Sequence, residues 1–477
     1  MNKLFSRREA LRETAGGLGA VALGWMLNQS RAIGAESESV KGKIYDLKPK
    51  QPHFQAKAKN VIFIYISGGP STIDMFDPKP ELMKYNGKPA PFEIKGRALN
   101  GSQQIMASPW AFKQHGESGR PVSELLPSFA KVVDDVAFVR SMTTDRIDHS
   151  TAQFSFVTGR GITGFPTIGS WISYALGTEN QNLPAFIALE TGEASIHTRA
   201  YSSAWLPPVY SGTKMTANPE APMFDIKRPK DLSENQQREL LNILEGLNRA
   251  QKAAYPLDHD LESRIANYEL AARMQMEAMK VADLSKESDA TRKLYGLDDK
   301  VAAPFSNNCL LARRLVESGV RFVTLISGSG GGAGWDCHNN IQGSLPGLCR
   351  SIDQGMYGLL TDLKARGMLD STLVVWSGEF GRLPTIESTN VRPGRDHNPY
   401  GFNMWMAGAG VKPGVDFGST DDLGYAAAGD KLTHSDIHAT IQHLVGLDFK
   451  RNTYAYEGRD ESLVGINPAR VVKEVLT

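Results

Sequence analysis

The chain has 477 residues, of which 41% are hydrophobic and 22% charged, and its formal net charge is +1. These are ordinary globular values, too long a chain for one small core, and the near-zero charge excludes nucleic-acid binding through bulk electrostatics. Its three cysteines, Cys309, Cys337 and Cys349, are too few for a disulfide framework, and Cys309 and Cys349 read as small buried side chains.

The chain opens with a segment that resembles an export signal. Ser6-Arg7-Arg8-Glu9-Ala10-Leu11 has the form of a twin-arginine motif, followed by a Gly/Ala-rich apolar region from Ala15 to Leu27 and small residues near Ala32 and Ala35. The apolar run is too short to span a bilayer, so residues 1–35 read as a signal peptide and no stable membrane span is expected. The expected partner is the twin-arginine export machinery, and the expected location is periplasmic or extracellular. Residues 36–58 are polar and read as a linker, leaving 59–477 as the folded domain.

Asn60 to Ser67 (NVIFIYIS) predicts a buried strand that breaks at Gly68-Gly69-Pro70, where glycines permit close backbone approach. Asp74 then serves either as a metal ligand or as a turn or capping residue. Residues 85–120 read as a surface excursion, and Val122 to Val133 has helical spacing. Val136 to Arg140 predicts a second strand. The loop Arg146-Ile147-Asp148 leads into a helix ending at Gly159, which puts His149 and Ser150 at a helix N-terminus, where free N–H groups favour an anion.

A helix from Gly169 and a strand from Pro184 to Leu189 follow. Residues 230–300 read as a helical insertion, with a capping box at Ser233 and Gln236 and a second helix from Leu261 to Val281. The strand Val320 to Ile326 runs into glycines and then Asp336-Cys337-His338, an acid and an imidazole at a strand end. After a helix from Ser351 to Arg366, the apolar run Leu373 to Trp376 ends in Ser377-Gly378-Glu379. Asp396 and His397 lie on the next loop. Strand carboxyl ends are where open α/β sheets bind ligands. His434 and His438 share a helix face, either as a metal pair or through local hydrogen bonding and packing.

The segments GGPSTIDMFDPKPEL, DHSTAQFSFVTGRG, GWDCHNN, VVWSGEFGRLPT, GRDHNPYGF and DIHATIQHLVGLD occur in the order found in an exported bacterial family, domain of unknown function 1501. The chain resembles that family over residues 55–460, and the family is similar to the alkaline phosphatase and sulfatase superfamily. The resemblance implies an α/β fold: an alkaline phosphatase-like, doubly wound, mostly parallel sheet flanked by helices. It also implies an edge binding divalent metal (zinc, calcium or magnesium) and hydrolysis of phosphate or sulfate esters on a small or polymeric anionic substrate.

Carried over by motif, Glu379 stands for the superfamily's Asp-His-Gly acid, and the histidine is absent. His397, beside Asp396, matches a later lone ligand. Asp336 and His338 match an earlier pair, and Gly68-Gly69 occupies a place usually acidic, with Asp74 arriving late. The implied metal set is therefore Asp74, Asp336, His338, Glu379, Asp396 and His397. The nucleophile position falls on His149, which would act as base or nucleophile, or Ser150 would attack beside it. Arg160 or Arg382 would hold the anionic group. The sulfatase Cys-x-Pro-x-Arg signature is missing. The alternative reading is a non-catalytic protein binding an envelope partner or anionic polymer on a degenerate hydrolase fold.

Overall fold

The computed structural model describes residues 46–94, 103–192, 196–224, 226–227, 232–255, 270–271, 273–275, 277–328, 334–387 and 392–477. The export-signal segment and most of the expected second helix of the insertion lie outside these residues.

Eight strands form one mixed, mostly parallel sheet: β1 (Asn60–Ile66), β2 (Val136–Met142), β3 (Phe186–Thr191), β4 (Thr213–Met215), β5 (Phe322–Ser327), β6 (Thr372–Ser377), β7 (Phe402–Ala407) and β8 (Asp416–Phe417). Their order across the sheet is β8-β2-β7-β6-β1-β5-β3-β4. β1 lies between β5 and β6 and runs parallel to both, with Ile66 opposite Ser327 and Tyr65 opposite Ser377. Val61 to Ile66 are at most 1% exposed, as a continuous apolar run in a covered sheet should be. Each such side chain contributes roughly 1.5–3 kcal/mol by burial.

β7 alone opposes its neighbours, antiparallel to β2 and β6. Trp405 pairs with Trp376 across β6–β7, and their rings lie within 4° of parallel. Because β7 runs backwards, the loop that feeds it lies on the rim where β1, β5 and β6 end. That reversal brings Asp396 and His397 to the rim.

The helices that flank the sheet are α1 (His149–Thr158), α2 (Ile168–Leu176), α3 (Glu234–Ala254), α4 (Ala303–Glu317), α5 (Ile341–Ala365) and α6 (His434–Leu444). α1 is capped by Asp148, whose side chain accepts from Thr151 N, and it stops at Gly159 in the left-handed conformation. α3 opens with the expected capping box at Ser233 and Gln236. Its Leu240, Leu244 and Leu247 are exposed. Among the described residues no helix is long and apolar enough to cross a membrane.

Four expectations are corrected. Residues 122–133 are not a helix: Arg120–Ser123 pairs with Phe112–His115 in a hairpin, and a 3-10 helix spans Phe129–Asp135. Pro121 and Pro127 break the register, and the buried Asp353 carboxylate accepts from Ser128 N and Phe129 N to start the 3-10 turn. The 85–120 excursion is thus partly structured, with Ile105 fully buried. α5 begins ten residues earlier than Ser351 and carries Pro346 in its first turns. The linker's described part, residues 46–58, is pinned: Lys50 N donates to Leu176 O, His53 N to Gly446 O, and Lys57 N and Ala58 N to Leu444 O.

Candidate metal centre

Three histidines from three different loops turn one nitrogen each toward the same point on the rim. His149 begins α1, His338 follows β5 and His397 precedes β7. His338 Nε2 and His397 Nε2 are 3.0 Å apart. Asp336 Oδ1 lies 2.8 Å from His338 Nε2, 2.9 Å from His149 Nε2 and 3.3 Å from His397 Nε2. The four ligand atoms all fall within 4.8 Å of one another.

The opposite nitrogen of each ring is held. His149 Nδ1 sits 2.7 Å from Glu379 Oε1 and His397 Nδ1 2.7 Å from Ile147 O, while His338 Nδ1 pairs with Glu387 Oε2. An oxygen can only accept, so each Nδ1 carries a proton, and a ring that has given up its other proton presents its Nε2 lone pair inward. With those protons gone, three lone pairs and a carboxylate oxygen crowded together repel one another unless a cation sits between them. His149 Nε2 is buried 2.9 Å from Asp336 Oδ1 without a well-aligned hydrogen bond. Three imidazoles and one carboxylate are a donor set that fits a four-coordinate divalent ion.

The electrostatics agree with close contact. Burial opposes the charge on His149, but contacts with Asp336 and Glu379 outweigh it and push the imidazole up to about 9. Burial likewise opposes ionisation of Asp336, yet His149, His338, His397 and the Arg382 charge hold its carboxyl far below the usual range. His338 is raised, the Asp336 contact outweighing burial, and His397 is lowered by burial.

Glu379 is placed behind His149, outside the four converging ligand atoms. It is fully buried and accepts from Gly68 N at 3.0 Å and from Gln153 Nε2 at 3.1 Å, besides facing His149. Burial works against its charge, but the His149 and Gly68 contacts win and keep its carboxyl below the ordinary value. The two glycines after β1 make room for this packing. Gly68 has φ 124°, and a Cβ there would come within 3.0 Å of Asp336 N; at Gly69 (φ 68°) it would strike the Phe380 ring at 2.6 Å.

The other expected residues lie outside those four donors. Asp74 is fully buried in a two-pronged ion pair with Arg395, at 2.8 and 3.0 Å. Asp396 Oδ1 accepts from His397 N at 2.7 Å and stands 3.8 Å from His338 Nδ1, and Asp396, His338 and Glu387 form a second group of donor atoms, all within 4.8 Å of one another, that could hold a metal. Ser150 is exposed in the first turn of α1. Arg160 lies at the other end of α1, on Glu461 Oε2 and Val464 O.

Arg382 is fully buried. Its guanidinium donates to the carbonyls of Gly68, Gly69, Trp335 and Arg395 and to Asp336 Oδ1. Neither arginine is placed as a free anion clamp. His434 and His438 are buried between α1 and β7, facing Ser155 Oγ and Phe156 O, as local packing predicts. Glu387 was not read from the sequence, since a lone glutamate beside a turn carries no spacing signal.

The model of a family described as protein of unknown function (DUF1501) matches residues 58–476. No curated protein matches the sequence. Among solved structures, a phosphonate monoester hydrolase from Silicibacter pomeroyi is 14% identical, covering 86% of this chain and 77% of that one, at a TM-score of 0.37. A lipoteichoic acid synthase from Listeria monocytogenes is 10% identical, covering 88% and 78%, at 0.34. A sulfatase from Pseudoalteromonas sp. is 13% identical, covering 81% and 68%, at 0.33.

Proposed function

The chain belongs to the DUF1501 family, and from that premise we propose that it is an exported, metal-dependent hydrolase of phosphate or sulfate esters. The observation that carries this reading is the convergence of His149, His338 and His397 Nε2 with Asp336 Oδ1, each ring fixed from behind by an oxygen.

In this reading those four residues hold one divalent ion. Glu379, Glu387 and the Ile147 carbonyl orient the rings, and Asp396 steadies the His397 backbone. Imidazole donors suit zinc-like ions better than magnesium or calcium, which prefer all-oxygen shells. Such an ion supplies Lewis-acid polarisation of an ester oxygen. The net reaction splits a P–O or S–O bond, with water adding hydroxyl to the acid and a proton to the departing alcohol.

His149 is assigned to ligation, since both its nitrogens are engaged in the cluster. Ser150, exposed in the same first turn, is the candidate nucleophile. The Arg7-Arg8 motif supports export by the twin-arginine route.

Elemental analysis of the purified protein, followed by assays with 4-nitrophenyl phosphate, 4-nitrophenyl sulfate and bis(4-nitrophenyl) phosphate, tests the proposal. One ion per chain and cleavage of at least one ester support it. Bound metal without cleavage would favour the non-catalytic anionic-polymer or envelope-binding reading.

A further inference from the structure

We propose that this site selects ester groups bearing one negative charge, such as sulfate monoesters or phosphodiesters, and disfavours phosphate monoesters bearing two. The inference rests on the hydrolase reading above and adds the charge class of its substrate.

Among the described residues, four carboxylates gather at the rim, and the arginine paired with one of them is buried. Asp336 and Glu379 touch His149, and Glu387 and Asp396 stand beside His338. Among the described residues, Arg382 is the one Lys or Arg ion-paired with these acids. Its side chain is 0% exposed, and every nitrogen donates to a protein oxygen, so no substrate reaches it. Arg395 is fully buried and spends its charge on Asp74. Arg160 is held by Glu461.

Arg392 is exposed, and it joins the site loop through its backbone, accepting from Asn340 N.

A divalent ion and one guanidinium therefore face four carboxylates. The rim keeps a net negative charge even when loaded. Of the three carboxylates outside the four-donor set, Glu387 is the most exposed, so its charge faces an incoming ligand more directly than those of Glu379 and Asp396. Two like charges a few ångströms apart beside partly buried groups repel strongly enough to change affinity by about tenfold or more. A phosphate monoester adds one such charge relative to a diester of the same shape.

The test uses full-length processed protein loaded with cobalt(II), titrated at pH 8 with dimethyl phosphate or methyl phosphate while the visible spectrum is followed. The expected result is at least tenfold tighter binding of the singly charged ion. E387Q should narrow that gap, and R392Q should leave it unchanged. Tighter binding of methyl phosphate, or a gap untouched by E387Q, would overturn the inference, as would a methyl phosphate preference lost in R392Q. The titration reads binding alone. A protein that binds these ions by charge yet cleaves no ester would refute the hydrolase reading while leaving charge selection standing.

Discussion

His149 Nδ1 lies 2.7 Å from Glu379 Oε1, and that contact decides which ring nitrogen faces the rim. The acid is fully buried, so its charge is tolerable only because His149, Gly68 N and Gln153 all donate to it. Glu379→Gln keeps the shape and removes the charge. Metal affinity should fall about 10–100-fold, the usual cost of losing an orienting partner, with stoichiometry still one at saturation. Complete loss of the site at saturating metal would instead make Glu379 a ligand. Calorimetric metal titration checks this.

His397→Ala and Asp336→Asn each remove one of the four converging donors. Both should abolish metal uptake at micromolar ion while leaving far-ultraviolet dichroism unchanged. Unaltered uptake in either would remove the centre as drawn.

The pH response of the metal-free protein follows from His149. Its folded value of about 9 exceeds the ordinary 6.5, so the protonated ring stabilises the fold fully below pH 6.5. That contribution disappears as pH rises through about 9. Melting temperature in chelator should therefore decline across this window. Metal must displace the same proton, so apparent metal affinity should rise over the same range and then level. Melts and metal titrations from pH 6 to 10 test both signs.

Asp74 and Arg395 are both fully buried and paired. Asp74→Asn strands a buried guanidinium and should cost roughly 3–5 kcal/mol of stability. Arg395 directly precedes Asp396 and His397, so metal affinity should weaken as well. The folded fraction should still bind one ion at saturation, because Asp74 is not among the converging donors. Chemical denaturation with metal analysis of the folded protein measures both.

Ser150→Ala tests the nucleophile. A loss of kcat of about a hundredfold or more, with metal content unchanged, supports attack by its hydroxyl. Unchanged kcat would assign attack to water.

Much of the frame was legible in the chain. The apolar runs at 60–67, 320–326 and 373–376 announced buried strands, because a strand covered on both faces needs no polar alternation. Asp148, Gly159, Ser233 and Gln236 announced helix ends, because caps act over three or four residues. His338, His397 and Asp336 were legible as an acid and imidazoles after strand ends. Local pattern failed where distant groups decided the matter. Asp353 started the 3-10 turn at Ser128, and an antiparallel β7 was needed to carry His397 to the rim.

The sequence by itself determined the elements, their caps and the loops that bear acids and histidines, since those depend on neighbours a few residues away. Only the tertiary structure decided which of these side chains meet. It put Glu379 behind His149, Asp74 against Arg395 and Arg382 under the loops. Each of those pairings joins residues 13 to more than 300 positions apart, and a charge removed from water settles on whichever partner folding brings within reach.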